Sequence, residues 1–414
     1  MNVLWSYSRV KHLKDRAKQS QGQIQNLFIR NVIQLPGNKR AWGQFFNENS
    51  GQYGIYGTSA GLQVLLQAGY SSEDDFVRGS SQVLEEAWSD QRNSNRFFKK
   101  RDTALIYKLA YLAEACAPSL PVVNESCSPM DELIKRCLPS GGWGEFYYSE
   151  TDRDGEPKII STAVVLLALS RYRPFSAKEE CEKSLHWLCR RLLESHNRGT
   201  YEIALASLAL IEYDFMKVKV SEWEDASKYC RKFLLDWLKH RTASLLGIQE
   251  NHHYISSSDG SRGNKYLFFL PHCLVAINLI KWGPPPNYRR YVLKVISFFT
   301  SQVLEKNGFA PDSRRQISTV DHLWIFRLLK EFEAAPIEKL LPQPFYVWSA
   351  ASRQLRALLM ILFLAIGIIA VYIGVMLKNA GSPMWAAAAG VIATVSLGLF
   401  GRTVWEFYIK GSNT

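Results

Sequence analysis

The side chains best suited to chemistry stand just ahead of, or at the start of, apolar segments. Asp321 and His322 open ISTVDHLWIFRLLKEFE, where a carboxylate and an imidazole in an apolar run need partners if they are buried. With Asp312 and Glu145 they are the candidates for acid and base work. Tyr53, Arg101, Tyr147, Tyr201, Glu202, His252, His253 and Asp259 occupy similar loops and are the candidates for ligand binding. Titratable groups that share one concave site shift one another's pKa, as proton transfer requires. Structural roles compete at several positions. Asp102 before Thr103 reads as a helix cap, Glu202 suits a positive helix N-terminus, and the Ser and Gly content of NHHYISSSDGSRG reads as a mobile loop. Glu73-Asp74-Asp75 and Asp152-Arg153-Asp154 read as surface loops. The seven cysteines are scattered and form no C-x-x-C pair, as reduced cytosolic thiols do, so neither a metal nor another cofactor is expected.

Helices must position these residues. A unit recurs every 45 to 65 residues or so: an amphipathic helix, a loop with glycine and an aromatic, then a more apolar helix. The apolar helices are expected at 57–69, 102–116, 160–172, 199–213, 264–282 and 317–333. Their amphipathic partners are expected at about 5–30, 76–95, 129–138, 177–195, 222–241 and 287–306. Between Glu179 and Leu193, Cys181, Leu185, Leu188 and Leu192 recur at three- and four-residue spacing, while Lys183, Arg190 and Arg191 fall elsewhere. Helices apolar nearly all round need burial on both sides, so six should form an inner ring wrapped by six others. No period-two alternation bounded by hairpin turns is evident, and strands are not expected.

The sharpest loop is Ser140-Gly141-Gly142-Trp143-Gly144-Glu145, followed by Ser161-Thr162-Ala163 at the head of an apolar helix. Weaker versions are Gly51-Gln52-Tyr53-Gly54, Gly199-Thr200-Tyr201 and Asn307-Gly308-Phe309. Glycine permits the reversal and the aromatic packs the joint. The stretch GGWGEFYYSETDRDGEPKIISTAVVLLALSRY, and Gln302 with Gly308-Phe309, resemble the α/α-toroid superfamily of squalene and terpene cyclases and protein prenyltransferase β-subunits, over about residues 5–335. The resemblance implies an all-α, (α/α)6 toroid in which the loops entering the inner helices meet at one rim over a central cavity. It does not extend to catalysis. The Asp-x-Asp-Asp acid of the cyclases is missing, as is the Asp-x-Cys that joins a His in the prenyltransferase zinc site.

A different element follows. Ala357 to Leu377 is an uncharged run of about 21 residues, long enough at ~1.5 Å per residue to span the ~30 Å bilayer core. After Lys378 to Pro383 comes a second uncharged run of about 18 residues ending before Arg402, with Trp385 and Trp405 at interfacial positions. The reading is a cytosolic toroid over 1–335, a proline-containing linker over 336–354 and a two-helix transmembrane hairpin over 355–414. Arg353, Arg356, Arg402 and Lys410 outside the spans, against Lys378 between them, put both ends in the cytosol at an inner or plasma membrane. No signal peptide is expected, because MNVLWSYSRVKHLKDRAK turns basic and amphipathic. Of the formal net charge of +12, the chain before Ala351 keeps +8, interleaved with acids, which argues against nucleic acid as a partner.

The partners expected are the lipid bilayer, an isoprenoid or other apolar ligand, and a protein partner or a second copy. With both catalytic motifs missing, the enzyme question stays open, leaning toward none. The reading is a ligand- or partner-binding module coupled to the hairpin, on the plan of bacterial stress or defence effectors. The alternative is a diverged isoprenoid enzyme fed from the bilayer.

Overall fold

The computed structural model describes residues 7–46, 53–93, 106–116, 128–144, 156–172, 178–194, 198–215, 220–241, 250–255, 262–267, 270–306, 318–342 and 353–408. The chain divides into two compact units, Met1–Pro342 and Gln343–Thr414.

In the first unit, one set of helices carries a single buried stripe. α1 (Tyr7–Arg30) buries Val10, Leu13, Ala17, Ile24 and Phe28 at helical spacing. α7 (Lys178–Glu194) buries Cys181, Leu185, Leu188 and Leu192, and on its wet side Lys183 donates to Glu179 over 2.6 Å. α3 (Asp75–Asn93), α5 (Pro129–Lys135), α9 (Trp223–Arg241) and α11 (Arg289–Lys306) complete this set. The short α5 starts sharply, with Ser128 and Asp131 forming a reciprocal capping box around Pro129.

The second set is buried nearly all round: α2 (Ile55–Gln67), α4 (Ile106–Cys116), α6 (Ile159–Tyr172), α8 (Thr200–Phe215), α10 (Leu270–Trp282) and α12 (Thr319–Ala334). Each packs on the next, α2 on α4, α4 on α6, α6 on α8, α8 on α10 and α10 on α12, and α12 packs on α2, so the ring closes. The outer helices lie in its grooves, α3 against α2 and α4, α7 against α6 and α8, α9 against α8 and α10, and α1 against α11 and α12. The unit is an (α/α)6 toroid. At the closing seam, Thr319 donates to the Gln44 carbonyl through both its N–H, over 3.1 Å, and its hydroxyl, over 3.0 Å.

The joints between outer and inner helices repeat. The Trp143 N–H donates to Thr162 Oγ1 over 3.0 Å and its indole N–H to the Leu133 carbonyl over 2.7 Å. Trp42 does the same with Thr58 Oγ1 at 3.2 Å and the Phe28 carbonyl at 2.8 Å. Each tryptophan thus pins an outer helix end to the head of an inner helix, and both are fully buried. Gly141 and Gly142 turn the second joint at φ +88° and +79°, where a Cβ would stand 2.5 Å from the Lys183 carbonyl oxygen and 2.7 Å from Thr162 Oγ1.

Three expectations change. Strands are present: β1 (Ile33–Leu35) pairs antiparallel with β2 (Lys39–Ala41), and β3 (Glu250–Ile255) with β4 (Arg262–Leu267). The first hairpin turns on Gly37 and Asn38, both at positive φ, a local signal that helical periodicity hides. The fifth inner helix begins at Leu270 and not near 264, because 262–267 belongs to β4 and Pro271, which lacks an N–H, suits a first turn. Residues 336–342, read as linker, fold onto the toroid. α13 (Ile337–Leu340) buries Leu340, Lys14 donates to the Glu333 and Ala335 carbonyls, and Arg289 donates to the Glu338 and Leu341 carbonyls over 3.1 and 2.8 Å.

The second unit is a hairpin of α14 (Arg353–Asn379) and α15 (Pro383–Tyr408). α14 ends with Gly381 at φ +76° while the Ser382 N–H reaches back to the Leu377 carbonyl over 2.9 Å, a glycine C-cap. Small residues let the two helices approach: a Cβ on Gly374 would lie 3.5 Å from that of Ala389, and Ala370, Ala389, Ala393 and Ser396 are buried. The other faces are exposed and apolar, with Ile361, Ile368, Ile369, Val375, Met376, Trp385 and Val391 all more than half exposed. Among the described residues, Ile361–Asn379 is long and apolar enough to cross a membrane, with a mean hydropathy of 2.5, whereas Met384–Gly398 is a shorter apolar stretch.

Candidate functional site

Tyr56, Tyr107 and Tyr201 are each the second residue of an inner helix, α2, α4 and α8. The Tyr56 and Tyr107 rings stand 5.7 Å apart at 69°, and Tyr111, one turn further along α4, stands 5.0 Å from Tyr56 at 84°. Burial raises the Tyr56 hydroxyl pKa well above the usual range, and Tyr111, Tyr107, Tyr201 and Asp321 add to the shift. Residues of α4, α8 and α12 thus all act electrostatically on the head of α2. Tyr56, Tyr107 and Tyr201 all keep part of their surface exposed. Beside Tyr107, burial lowers the Lys108 ammonium pKa to about 8.

Further along the inner helices lies a cluster of charge. Glu114 of α4 accepts from Arg327 of α12 over 2.6 Å and also from Arg171 of α6. Arg327 donates in addition to Gln63 of α2, whose own amide donates to the Tyr111 carbonyl over 3.1 Å. The Arg327 guanidinium lies 4.7 Å over the Trp324 ring, and the Trp324 indole N–H donates to the Tyr111 hydroxyl over 2.7 Å. Lys281 of α10 bridges Glu212 of α8 and Glu331 of α12 at 3.1 and 3.0 Å. Nearby, Ser207 donates to the Asn278 Oδ1 over 2.7 Å, while the Asn278 amide donates to the Ala204 and Leu274 carbonyls. Such a network ties inner helices to one another through buried polar groups and fixes their relative rotation. The inner ring thus carries packed tyrosines at its helix heads and buried ion pairs further along its helices.

Of the residues singled out from sequence, Tyr201 and Asp321 both act electrostatically on Tyr56. His322, the neighbour of Asp321, points elsewhere. It is fully buried against Phe46, 5.5 Å away, with Nδ1 2.7 Å from the Ser318 carbonyl, and burial lowers its pKa to about 4, so it is neutral at pH 7. Asp321 takes part in the helix start through its N–H, which donates to the capping Ser318 hydroxyl. Glu202 lies beside Arg198 and Lys158 at the head of α8, and burial raises its pKa. Tyr53 precedes α2 and is half exposed. His252 and His253 lie in strand β3, paired with Lys265 and Asn264, where a mobile loop is expected from composition. Arg101, Glu145, Tyr147, Asp259 and Asp312 lie outside the described residues.

Cys273 comes within electrostatic reach of Asp321, yet burial raises its pKa and its thiol donates to the Trp324 carbonyl over 3.1 Å, so it is a protonated thiol and no ready metal ligand. Among the described residues no three His, Cys, Asp or Glu side chains converge to hold a metal. Tyr56, Tyr107 and Tyr111 escape a search built on polar loops, because they sit inside apolar helices. The recurrence of Ile-Tyr at the head of both α2 and α4 is the signal that marks them.

No family model matches the chain, and no curated protein matches it. A search of solved structures finds a likeness to the GH76A α-1,6-mannanase from Salegentibacter sp. HEL1_6, with a TM-score of 0.46 and 15% identity, covering 77% of this chain and 99% of that one.

Proposed function

We propose that this protein is a membrane-anchored binding module: the toroid takes a ligand or a partner, and the hairpin holds it at the bilayer from the cytosolic side. The observation that carries the reading is the surface of α14, where an uncharged run long enough for a bilayer exposes Ile361, Ile368, Ile369, Tyr372 and Val375. A contiguous exposed apolar surface of this kind is costly in water and stable in lipid. The missing cyclase acid and zinc motifs favour binding over isoprenoid chemistry, and the tyrosines and ion pairs of the inner ring support a polar ligand over an isoprenoid one. The bacterial effector plan is one form this module takes, with the bilayer as its target.

Fractionation tests the anchor. The full chain is expected to resist alkaline carbonate extraction, and Ile369→Arg, which puts a charge in the middle of the exposed face at a cost of about 3 kcal/mol, is expected to move a large part of it to the soluble fraction. A wild-type chain fully extracted by carbonate would refute the anchored reading.

A further inference from the structure

A helix N-terminus is partly positive and favours acids in its first turn. Four outer helices obey: α3 opens with Asp75, α5 with Asp131 and Glu132, α7 with Glu179 and Glu180, and α9 with Glu224 and Asp225. The other two, α1 and α11, have no acid there. In its N-terminal half α1 carries Arg9, Lys11, Lys14, Arg16 and Lys18 against Asp15, and that half of α11 carries Arg289, Arg290 and Lys294 with no acid. The two helices pack on each other. Arg16 donates to Ser301 of α11 over 3.2 Å, and Lys294, two turns before Ser301, lies on that same side of α11. Lys14 and Arg289 hold carbonyls between Glu333 and Leu341, so α13 with its Lys339 rests on the same sector, where the chain leaves the toroid at Pro342.

The acids beside these bases are Asp15, Glu333 and Glu338, and Glu333 accepts from Gln21 over 2.7 Å. Lys11, Lys18, Lys294 and Lys339 are exposed. Among the described residues they form no ion pair, whereas Lys178 lies against Glu182, Lys183 against Glu179, and Lys228 against Glu224 and Asp225. Basic charge gathered where the helix dipole disfavours it, in excess of the acids beside it, fits an anionic partner outside the toroid. A separate observation names that partner. The exposed apolar surface of α14 calls for a bilayer, and Arg353 and Arg356 stand directly ahead of its uncharged run, as bases do at an anionic leaflet.

We propose that the basic sector of α1, α11 and α13 binds the anionic headgroups of the bilayer that holds the hairpin, with Lys11, Lys18, Lys294 and Lys339 as its exposed contacts. This rests on the anchored reading above and deepens it by naming the lipid chemistry the toroid itself recognises. A lysine ammonium meets a lipid phosphate as a point charge and needs no fixed pocket.

The test uses the full chain reconstituted into phosphatidylcholine vesicles with or without about 30% phosphatidylglycerol, a content that makes the surface negative. Lysines are acetylated with a membrane-impermeant N-hydroxysuccinimide ester and quantified by mass spectrometry. Phosphatidylglycerol is expected to slow Lys11, Lys18, Lys294 and Lys339 at least about threefold and to leave Lys178, Lys183 and Lys228 nearly unchanged, because the surface field dies away within a Debye length. Sodium chloride at about 1 M, which screens charge beyond roughly 3 Å, is expected to abolish the difference. Lys11→Glu combined with Lys18→Glu is expected to abolish the slowing at Lys294 and Lys339, with circular dichroism establishing that the variant is folded. The wild-type comparison of the two vesicles stands even if that variant does not fold. Equal rates in both vesicles, equal slowing at Lys178, Lys183 and Lys228, or slowing retained in the folded variant would overturn the proposal. Slowing produced by duplex DNA and not by phosphatidylglycerol would assign the sector to nucleic acid and overturn it too. Carbonate extraction reads the anchor independently, so an anchored protein whose lysines ignore phosphatidylglycerol refutes this inference alone.

Discussion

Glu114→Gln tests whether the charged cluster holds the ring closed. In the native protein one buried carboxylate serves Arg327 and Arg171, and Arg327 also reaches Gln63, so the cluster links α12 to α2 and α4 across the closing seam. The amide keeps the shape and removes the charge. Arg171 is 28% exposed and can turn toward water, whereas Arg327 is only 7% exposed and is left as a buried cation without its counter-charge. Breaking a buried pair in this way costs about 3–5 kcal/mol. A folded body of roughly 340 residues unfolds with an entropy of about 0.7 kcal/mol/K, so the melting temperature should fall by about 4–7 °C. Thermal unfolding of the detergent-solubilised chain, followed by circular dichroism at 222 nm, reads the change. Glu114→Leu combined with Arg327→Leu removes both charges and should recover most of the loss, since apolar replacements of a buried pair are often neutral. A single variant within about 1 °C of wild type, or a double variant no better than the single, would show that the cluster is solvated and does not lock the ring.

Two further outcomes follow from particular contacts. Gly57→Ala places a Cβ 1.9 Å from the Gly43 carbonyl oxygen and 2.7 Å from that of Trp42, both backbone, so α2 must move off the first joint; a loss of about 3 kcal/mol is expected, while Gly22→Ala, with open space around it in α1, should be neutral or stabilising on the same melting curve. His322 makes the toroid sensitive to acid. Its folded pKa of about 4 lies below the ordinary histidine value of 6.5, so between those values the unfolded chain takes up a proton that the folded one refuses. Stability is therefore intact above pH 6.5 and falls as pH drops toward 4, by at most about 3 kcal/mol, and His322→Asn should flatten that part of the curve of melting temperature against pH. An equal slope in both proteins would refute the assignment.

Much of the architecture is legible in the chain because burial is periodic. Cys181, Leu185, Leu188 and Leu192 announce a helix with one dry stripe, and LPHCLVAINLI a helix with none that is wet, so the alternation of outer and inner helices can be read residue by residue. The Gly141-Gly142-Trp143 loop is equally local, since positive φ and an indole with one N–H to place are properties of the residues themselves. Its counterpart at Trp42-Gly43 goes unnoticed from sequence because no glycine pair precedes the tryptophan, although the following Gly57-Thr58-Ser59 matches the role of Ser161-Thr162-Ala163. The strands at 250–267 are missed for a different reason: a short hairpin draws its stability from pairing across a turn, and its side-chain pattern is weak.

The site divides along the same line. Local sequence decides that α12 starts at Ser318 and that Asp321 and His322 fall in its first turn. Adjacent residues on a helix point about 100° apart, so the two meet different surroundings, and nothing in the neighbouring residues says which meets what. The packing of α12 against α2 brings Asp321 within electrostatic reach of Tyr56 and sets His322 against Phe46. In the same way Tyr56 and Tyr107 are unremarked aromatics in apolar helices until α2 packs on α4 and brings their rings together. Periodicity along the chain specifies which face of each helix is buried. Contacts between helices far apart in sequence specify which buried faces meet, and only those contacts pack the tyrosines together and pair the buried charges.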